Sequence, residues 1–248
     1  DQAVEGNIQF LTATGDPLPV GGGSSQVRYS IAARGTFVWE SPATGNVVES
    51  GFAVVSAATG LRAASAIVSL SKRGTRITEA AMGGAATRDA WFGIDTYATV
   101  VRHGRSEFRV TLANGGDRPA DIRLIVYSPD GEELARTHQI LPVDRQVEFT
   151  QVDLADRGNF KGSVRVVSDV PISITAHRLT TNVRNELIMA RLPSLRAPAG
   201  TDRIVFPRFL DGSEVATELI MLNNGTAQGK SQVEFFDEAG RPLTVVLR

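Results

Sequence analysis

The sequence predicts an all-β protein made of antiparallel β-sandwich units of about 110 residues repeated in tandem. Three observations carry this expectation. Short runs of alternating apolar and polar residues recur from end to end. Turn-forming residues separate the runs. One stretch near the C-terminus matches another near the N-terminus without a gap.

The alternation is plainest at residues 7–11, 26–31, 108–112, 122–127, 146–149 and 163–167. A period of two puts one face of each run on a core and the other in water. Valine, isoleucine and aromatic residues suit that pleated surface. Between the runs stand Thr14-Gly15-Asp16, Asn114-Gly115-Gly116, Pro129-Asp130-Gly131, Asn223-Asn224-Gly225 and Glu238-Ala239-Gly240. Glycine and asparagine tolerate the positive φ that tight hairpins require. No amphipathic helix of ordinary length is evident, and residues 154–157 offer a single helical turn.

Composition narrows the function. Lysine and arginine number 26 against 27 aspartates and glutamates, for a formal net charge of −1. Such a balance gives no strong field to recruit nucleic acid or an anionic membrane. The chain has no cysteine, which excludes disulfide scaffolds, thiolate nucleophiles and cysteine-held metals. Hydrophobic residues at 42% and charged residues at 21% argue against disorder. No stretch approaches the roughly 18 apolar residues of a membrane helix, so no membrane insertion is expected. The opening Asp1-Gln2-Ala3-Val4-Glu5 lacks the basic start and apolar core of a signal peptide. The chain begins without Met, so a processed or excised segment is expected.

The repeat sets the domain organisation. Residues 233–245 lie on residues 8–20 with 5 identities in 13: Phe, Gly, Pro, Leu and Val coincide. The same pattern occurs at 124–134, where Gly131 and Leu134 stand 109 residues before Gly240 and Leu243. That offset also aligns Tyr97 with Phe206, Val100 with Phe209, Val110 with Leu219, Leu112 with Met221 and Asn114 with Asn223. Downstream of the hairpin, residues 26–29 resemble 146–149, 54–56 resemble 166–168, and 77–82 sit where 185–190 sit.

Residues 90–197 then form one complete sandwich. Residues 1–86 form a partial one that lacks its two opening strands, and 203–248 supply the opening strands of a further repeat. Gly/Ala/Pro-containing stretches at 83–87 and 194–200 suit linkers. A sheet without its full set of strands exposes unpaired backbone groups that seek a partner. The C-terminal strands either complete the 1–86 unit within the chain or complete it in a neighbouring copy. The second arrangement is head-to-tail strand complementation, which does not close and builds a fibre. A third resolution is that the chain is a window on a longer array. The candidate donor segment carries Phe206, Phe209, Leu219 and Met221.

The string Phe206-Pro207-Arg208-Phe209-Leu210-Asp211-Gly212, the strand ending Leu222-Asn223 and the hairpin Phe235-Phe236-Asp237-Glu238-Ala239-Gly240-Arg241-Pro242-Leu243 together resemble a known family. It is the tandem Ig-like β-sandwich repeat of bacterial secreted and surface proteins. The central unit keeps the hairpin and Asn114 but departs at the opening, where Tyr97 to Val101 stand. The resemblance implies an extracellular or cell-surface setting and an architectural or adhesive role, and it brings no catalytic residues.

The chain's own chemistry agrees with that. His103, His138 and His177 show no spacing that converges on a metal or a catalytic dyad. Gly225 to Ser231 has three residues between its glycines where a phosphate loop needs four, and a strand-like run follows. No Gly-x-Ser-x-Gly elbow occurs. The Asp-rich turns hold too few spaced oxygens for calcium. Trp39, Trp91 and Phe92, with Tyr97, are the aromatics available for an interface or for stacking on a ligand.

The expectation is therefore a non-enzymatic structural protein without catalytic, cofactor-binding or metal-binding residues. It self-associates into a surface or fibrous assembly and binds no nucleic acid. The alternative is an adhesion or carbohydrate-binding module of a larger secreted protein, with a glycan or surface ligand at Trp39 or Trp91.

Overall fold

The computed structural model describes residues 3–42, 48, 50–58, 63–97, 104–150, 153, 159–195, 204–208, 210, 217–223, 225, 229–230 and 232–243. The chain divides into two units, Asp1–Leu195 and Arg196–Arg248. In the first unit the strands are β1 (Val4–Thr12), β2 (Gln26–Ile31), β3 (Gly51–Ala57), β4 (Ser65–Lys72), β5 (Thr75–Gly83) and β6 (Ala86–Thr96). They continue with β7 (Arg105–Asn114), β8 (Ala120–Tyr127), β9 (Glu133–Leu141), β10 (Arg145–Thr150), β11 (Phe160–Thr181) and β12 (Leu187–Leu192). Every ladder is antiparallel, so the all-β antiparallel class stands. The helical turn expected at 154–157 lies outside the described residues.

Strands β6 to β12 form one seven-stranded sheet organised around β11, which runs for 22 residues. The first half of β11 pairs with β6 on one edge and β8 on the other, Val164 opposite both Phe92 and Val126. Its second half pairs with β7 and β12, His177 opposite both Arg109 and Arg191. Between Val167 and Ile172 the register with β6 shifts. Pro171 lies in that stretch, where it has no N–H to give a ladder, and a bulge there bends the strand. The sheet curls into a half-barrel, and both halves bury one core.

The core follows the alternation in the sequence. Phe108, Val110 and Leu112 of β7 point inward, and Ile122, Leu124 and Val126 of β8 meet them. Asn114 is the fully buried polar residue at the end of β7. Its Nδ2 donates to the carbonyls of Arg118 (2.9 Å) and Leu141 (3.1 Å), and its Oδ1 accepts from the Gly116 N–H (3.0 Å). One side chain thus closes the β7–β8 turn and ties the end of β9 to it, which answers its own burial cost.

Residues before β6 make two smaller sheets, β2-β1-β3 and the β4–β5 hairpin. The hairpin turns at Arg73-Gly74, both at positive φ (52° and 78°), the two-residue geometry that matches strand twist. The linker expected at 83–87 is shorter, because β5 ends at Gly83 and β6 begins at Ala86. One sequence likeness is not matched by an equivalent neighbour: β2 pairs with β1, whereas β10, which it resembles, pairs with β7.

Among the described residues, four hairpins share one turn. In each, the first residue's N–H bonds the carbonyl four residues on, and the N–H three residues on bonds back to it. The pairs are Thr12 with Asp16 and Gly15, Ser128 with Glu132 and Gly131, Asn182 with Glu186 and Asn185, and Asp237 with Arg241 and Gly240. The fourth position has φ of 79°, 84°, 58° and 78° in that order. The first side chain caps the turn by accepting the fifth residue's N–H, at 3.1, 3.1, 2.9 and 2.8 Å. Thr, Ser, Asn and Asp are the residues short enough to do this.

The second unit holds β13 (Phe235–Phe236) paired with β14 (Pro242–Leu243) around the last of these turns. Gly225 donates its N–H to Asn223 Oδ1 at 3.0 Å. That bond matches the Gly116 to Asn114 bond, 109 residues earlier.

Candidate assembly surface

A sheet that covers a core has an apolar face hidden from water. Among the described residues before β6, the buried apolar side chains are Leu11, Tyr29 and Ala80, and none belongs to the core cluster. The N-terminal sheet is held instead by cross-strand contacts. Tyr29 of β2 lies over Gly6 of β1, and its hydroxyl donates to the Ser56 carbonyl of β3 at 2.8 Å. The Phe10 and Trp39 rings sit 4.8 Å apart, and Tyr29 and Phe37 are 5.7 Å apart. Among the described strands of this region, β2 and β3 each pair with β1 alone, and β4 and β5 pair only with each other. Each leaves one row of backbone donors and acceptors without a ladder, the condition that invites a further strand.

In the second unit several apolar residues are exposed: Val205 at 73%, Phe206 at 56% and Met221 at 62% of their free surface. Leu219 is intermediate, and Phe209 lies outside the described residues. Residues 217–223, aligned by sequence with the heart of β7, form no strand here. In β7 the aligned positions Val110 and Leu112 are fully buried.

The remaining expected site residues separate clearly. Phe92 is a correction: offered as an interface or ligand-stacking aromatic, it is 1% exposed and belongs to the core. Strand alternation turns Phe92 inward and Trp91 outward. Trp91 packs across strands, stacked on Tyr127 at 5.3 Å with the Arg165 guanidinium 5.1 Å from its ring centre. Arg165 is in turn held by both oxygens of Asp89, at 3.1 and 2.7 Å. Trp39 keeps 36% exposure beside Phe10.

His103 lies outside the described residues. His138 is exposed and meets Asp121 at 3.0 Å. His177 is 8% exposed. Burial holds its imidazole below the ordinary histidine pKa, Arg191 adds to that, and Glu148 opposes it. The two described histidines stand on different strand pairs, and no group of three metal-ligating side chains occurs among the described residues. No helix of the described residues is long and apolar enough to cross a membrane.

Three features escaped sequence reasoning. The Tyr29–Ser56 strap needs a glycine directly opposite the tyrosine, visible only once the register is known. The Asn182 turn carries Asn185 where its relatives carry glycine, so a search for Gly passes over it. The hydroxyl of Thr78 on β5 meets both backbone groups of Met189 on β12, a contact between residues 111 apart.

No family model matches the chain, and no curated protein matches it. Among solved structures, it is similar to a Thermotoga maritima protein, "Thermotoga maritima 1070", at 18% identity and a TM-score of 0.35, covering 43% of this chain and 93% of that one. It is also similar to the Anabaena sensory rhodopsin transducer at 21% identity and a TM-score of 0.28, covering 35% of this chain and 93% of that one.

Proposed function

We propose that this chain is a non-enzymatic extracellular structural protein of tandem Ig-like sandwich units, and that copies join head to tail by strand complementation. One observation carries the reading. The N-terminal region has strands with an open edge among the described strands, while the second unit has an apolar segment, aligned with a core strand, that forms no strand and keeps Met221 exposed. The matched Asn114 and Asn223 bonds, and the matched Ser128 and Asp237 turns, support the 109-residue register. The extracellular setting rests on the family resemblance.

The central sheet is the template for the missing pairs. There β7 lies beside the second half of β11, Leu112 opposite Ile174 and Val110 opposite Ala176. By the 109-residue alignment Met221 and Leu219 stand for Leu112 and Val110, and carrying the 108-residue offset of 77–82 and 185–190 back into β4 sets Ala66 and Val68 at Ile174 and Ala176. Residues 217–223 of one copy therefore add to the open edge of β4 in the next. Main-chain hydrogen bonds supply the affinity and the buried apolar row sets the register.

Sedimentation velocity and electron microscopy of the full chain test this. Concentration-dependent filaments are expected, and they are lost in the Leu219→Asp/Met221→Asp double variant. A strictly monomeric chain at all concentrations removes the proposal.

A further inference from the structure

Strand β12 is held on both edges. On one it pairs with β11, Arg191 opposite His177 and Met189 opposite Leu179. On the other, Thr78 of β5 donates its hydroxyl to the Met189 carbonyl at 3.1 Å and accepts the Met189 N–H at 3.3 Å. The hydroxyl thus takes the place of a neighbouring strand at that residue. Farther along β12, the Arg191 guanidinium packs on Gly83, where an added Cβ would stand 3.2 Å from Nη2. The β4–β5 hairpin is therefore latched to β12 at Thr78 and at Gly83.

The charged groups around that latch form a row across three ladders. His177 has Arg109 of β7 on one side and Arg191 of β12 on the other. Arg109 is engaged by Glu148 of β10 at 2.9 Å and by Glu107 of its own strand at 3.5 Å. β5 brings Thr78 and Gly83, neither of which titrates, and its charged Arg76 and Glu79 pair with each other at 2.7 Å. The Nε2 of His177 and the Nε of Arg109 are both buried without a hydrogen-bond partner. The row is balanced while the imidazole is neutral. A proton there adds a third cation to a site already short of acceptors.

We propose that His177 makes the β12–β5 latch acid-sensitive: protonation sets a cation between Arg109 and Arg191, displaces Arg191 from Gly83 and frees the hairpin from the edge of β12. Burial and Arg191 both oppose the proton, so the latch stays closed at neutral pH and opens below the ordinary histidine range, near pH 6.5. Freed, β12 and the hairpin both present backbone groups for pairing. This inference does not depend on the assembly reading.

The Met189 amide reports the latch directly, because its proton sits on the Thr78 hydroxyl. Hydrogen exchange of the full chain, corrected for intrinsic rates, is measured at roughly pH 7.5 and roughly pH 5.0, on either side of the ordinary histidine value. The Val110 amide serves as a core control. Wild type is expected to lose Met189 protection in acid, with Val110 unchanged. His177→Gln abolishes the acid effect, and Arg191→Gln reduces it. Unchanged Met189 protection in wild type, an equal loss in His177→Gln, or a parallel loss at Val110 each overturns the proposal.

Discussion

The Tyr29 hydroxyl donates to the Ser56 carbonyl at 2.8 Å, reaching across Gly6 from one outer strand of the N-terminal sheet to the other. This bond spans all three strands of a sheet that has little core beneath it. A Cβ at position 6 would overlap both the tyrosine ring and the Ser56 carbonyl. Gly6→Ala is therefore expected to cost about 1–3 kcal/mol, as overpacking does. Tyr29→Phe costs less, about 0.5–1.5 kcal/mol for one hydrogen bond. Hydrogen exchange of the β1 amides checks both, and an effect of Tyr29→Phe exceeding that of Gly6→Ala would contradict the strap.

The two matched asparagines predict opposite sensitivities. Asn114 is fully buried and satisfies three backbone groups. Asn114→Ala orphans them at about 1–3 kcal/mol for each one left unsatisfied. Asn223 is exposed, so Asn223→Ala changes the stability of the unassembled chain by about 0.5 kcal/mol or less. Urea midpoints of the paired variants measure the contrast.

Aromatic truncations divide the same way. Phe108→Ala empties a fully buried site and is expected to cost about 3–5 kcal/mol. Phe206→Ala removes a side chain that is 56% exposed. It leaves the stability of the unassembled chain within about 0.5 kcal/mol of wild type while weakening association. Thermal unfolding below the assembly concentration, followed by light scattering above it, separates the two.

The Asp237 turn predicts a local pH dependence. Backbone N–H groups, Arg241's first, and the Arg241 guanidinium hold the Asp237 carboxyl below its ordinary pKa. A depressed folded-state pKa means that the turn is stabilised above the unfolded value, near 3.9. That stabilisation is lost as pH falls through the folded value. The Ser128 turn has the same backbone bonds and a hydroxyl that does not ionise in this range. Exchange protection of the Gly240 amide, which bonds the Asp237 carbonyl, should fall in acid, and Asp237→Asn, which keeps an acceptor oxygen without a titrating carboxyl, should remove that fall.

Much of this architecture was legible in the sequence because strand alternation and turn chemistry are local. Residues 108–112 forecast the inward Phe108, Val110 and Leu112, and the glycines at 15, 131 and 240 forecast three turns that have the required positive φ. The long β11 was less legible. Pro171 interrupts its pattern, and only pairing with two different sets of neighbours makes it one strand. Phe92 was misplaced because a Trp-Phe pair does not say which ring faces inward until the pairing is known. The Thr78–Met189 and Tyr29–Ser56 contacts depend on register and long-range packing, which no local pattern encodes.

The most direct test of head-to-tail complementation uses the absence of native cysteine. Ala66→Cys and Met221→Cys are made in separate copies, mixed, and oxidised. The register proposed above places these positions side by side, within the roughly 4.4–6.8 Å between Cα atoms that a disulfide spans. A disulfide-linked dimer containing one copy of each variant is the predicted result, with ladders of higher species from the double variant. No mixed dimer, or a double variant that yields only an internally linked monomer, would contradict complementation between copies.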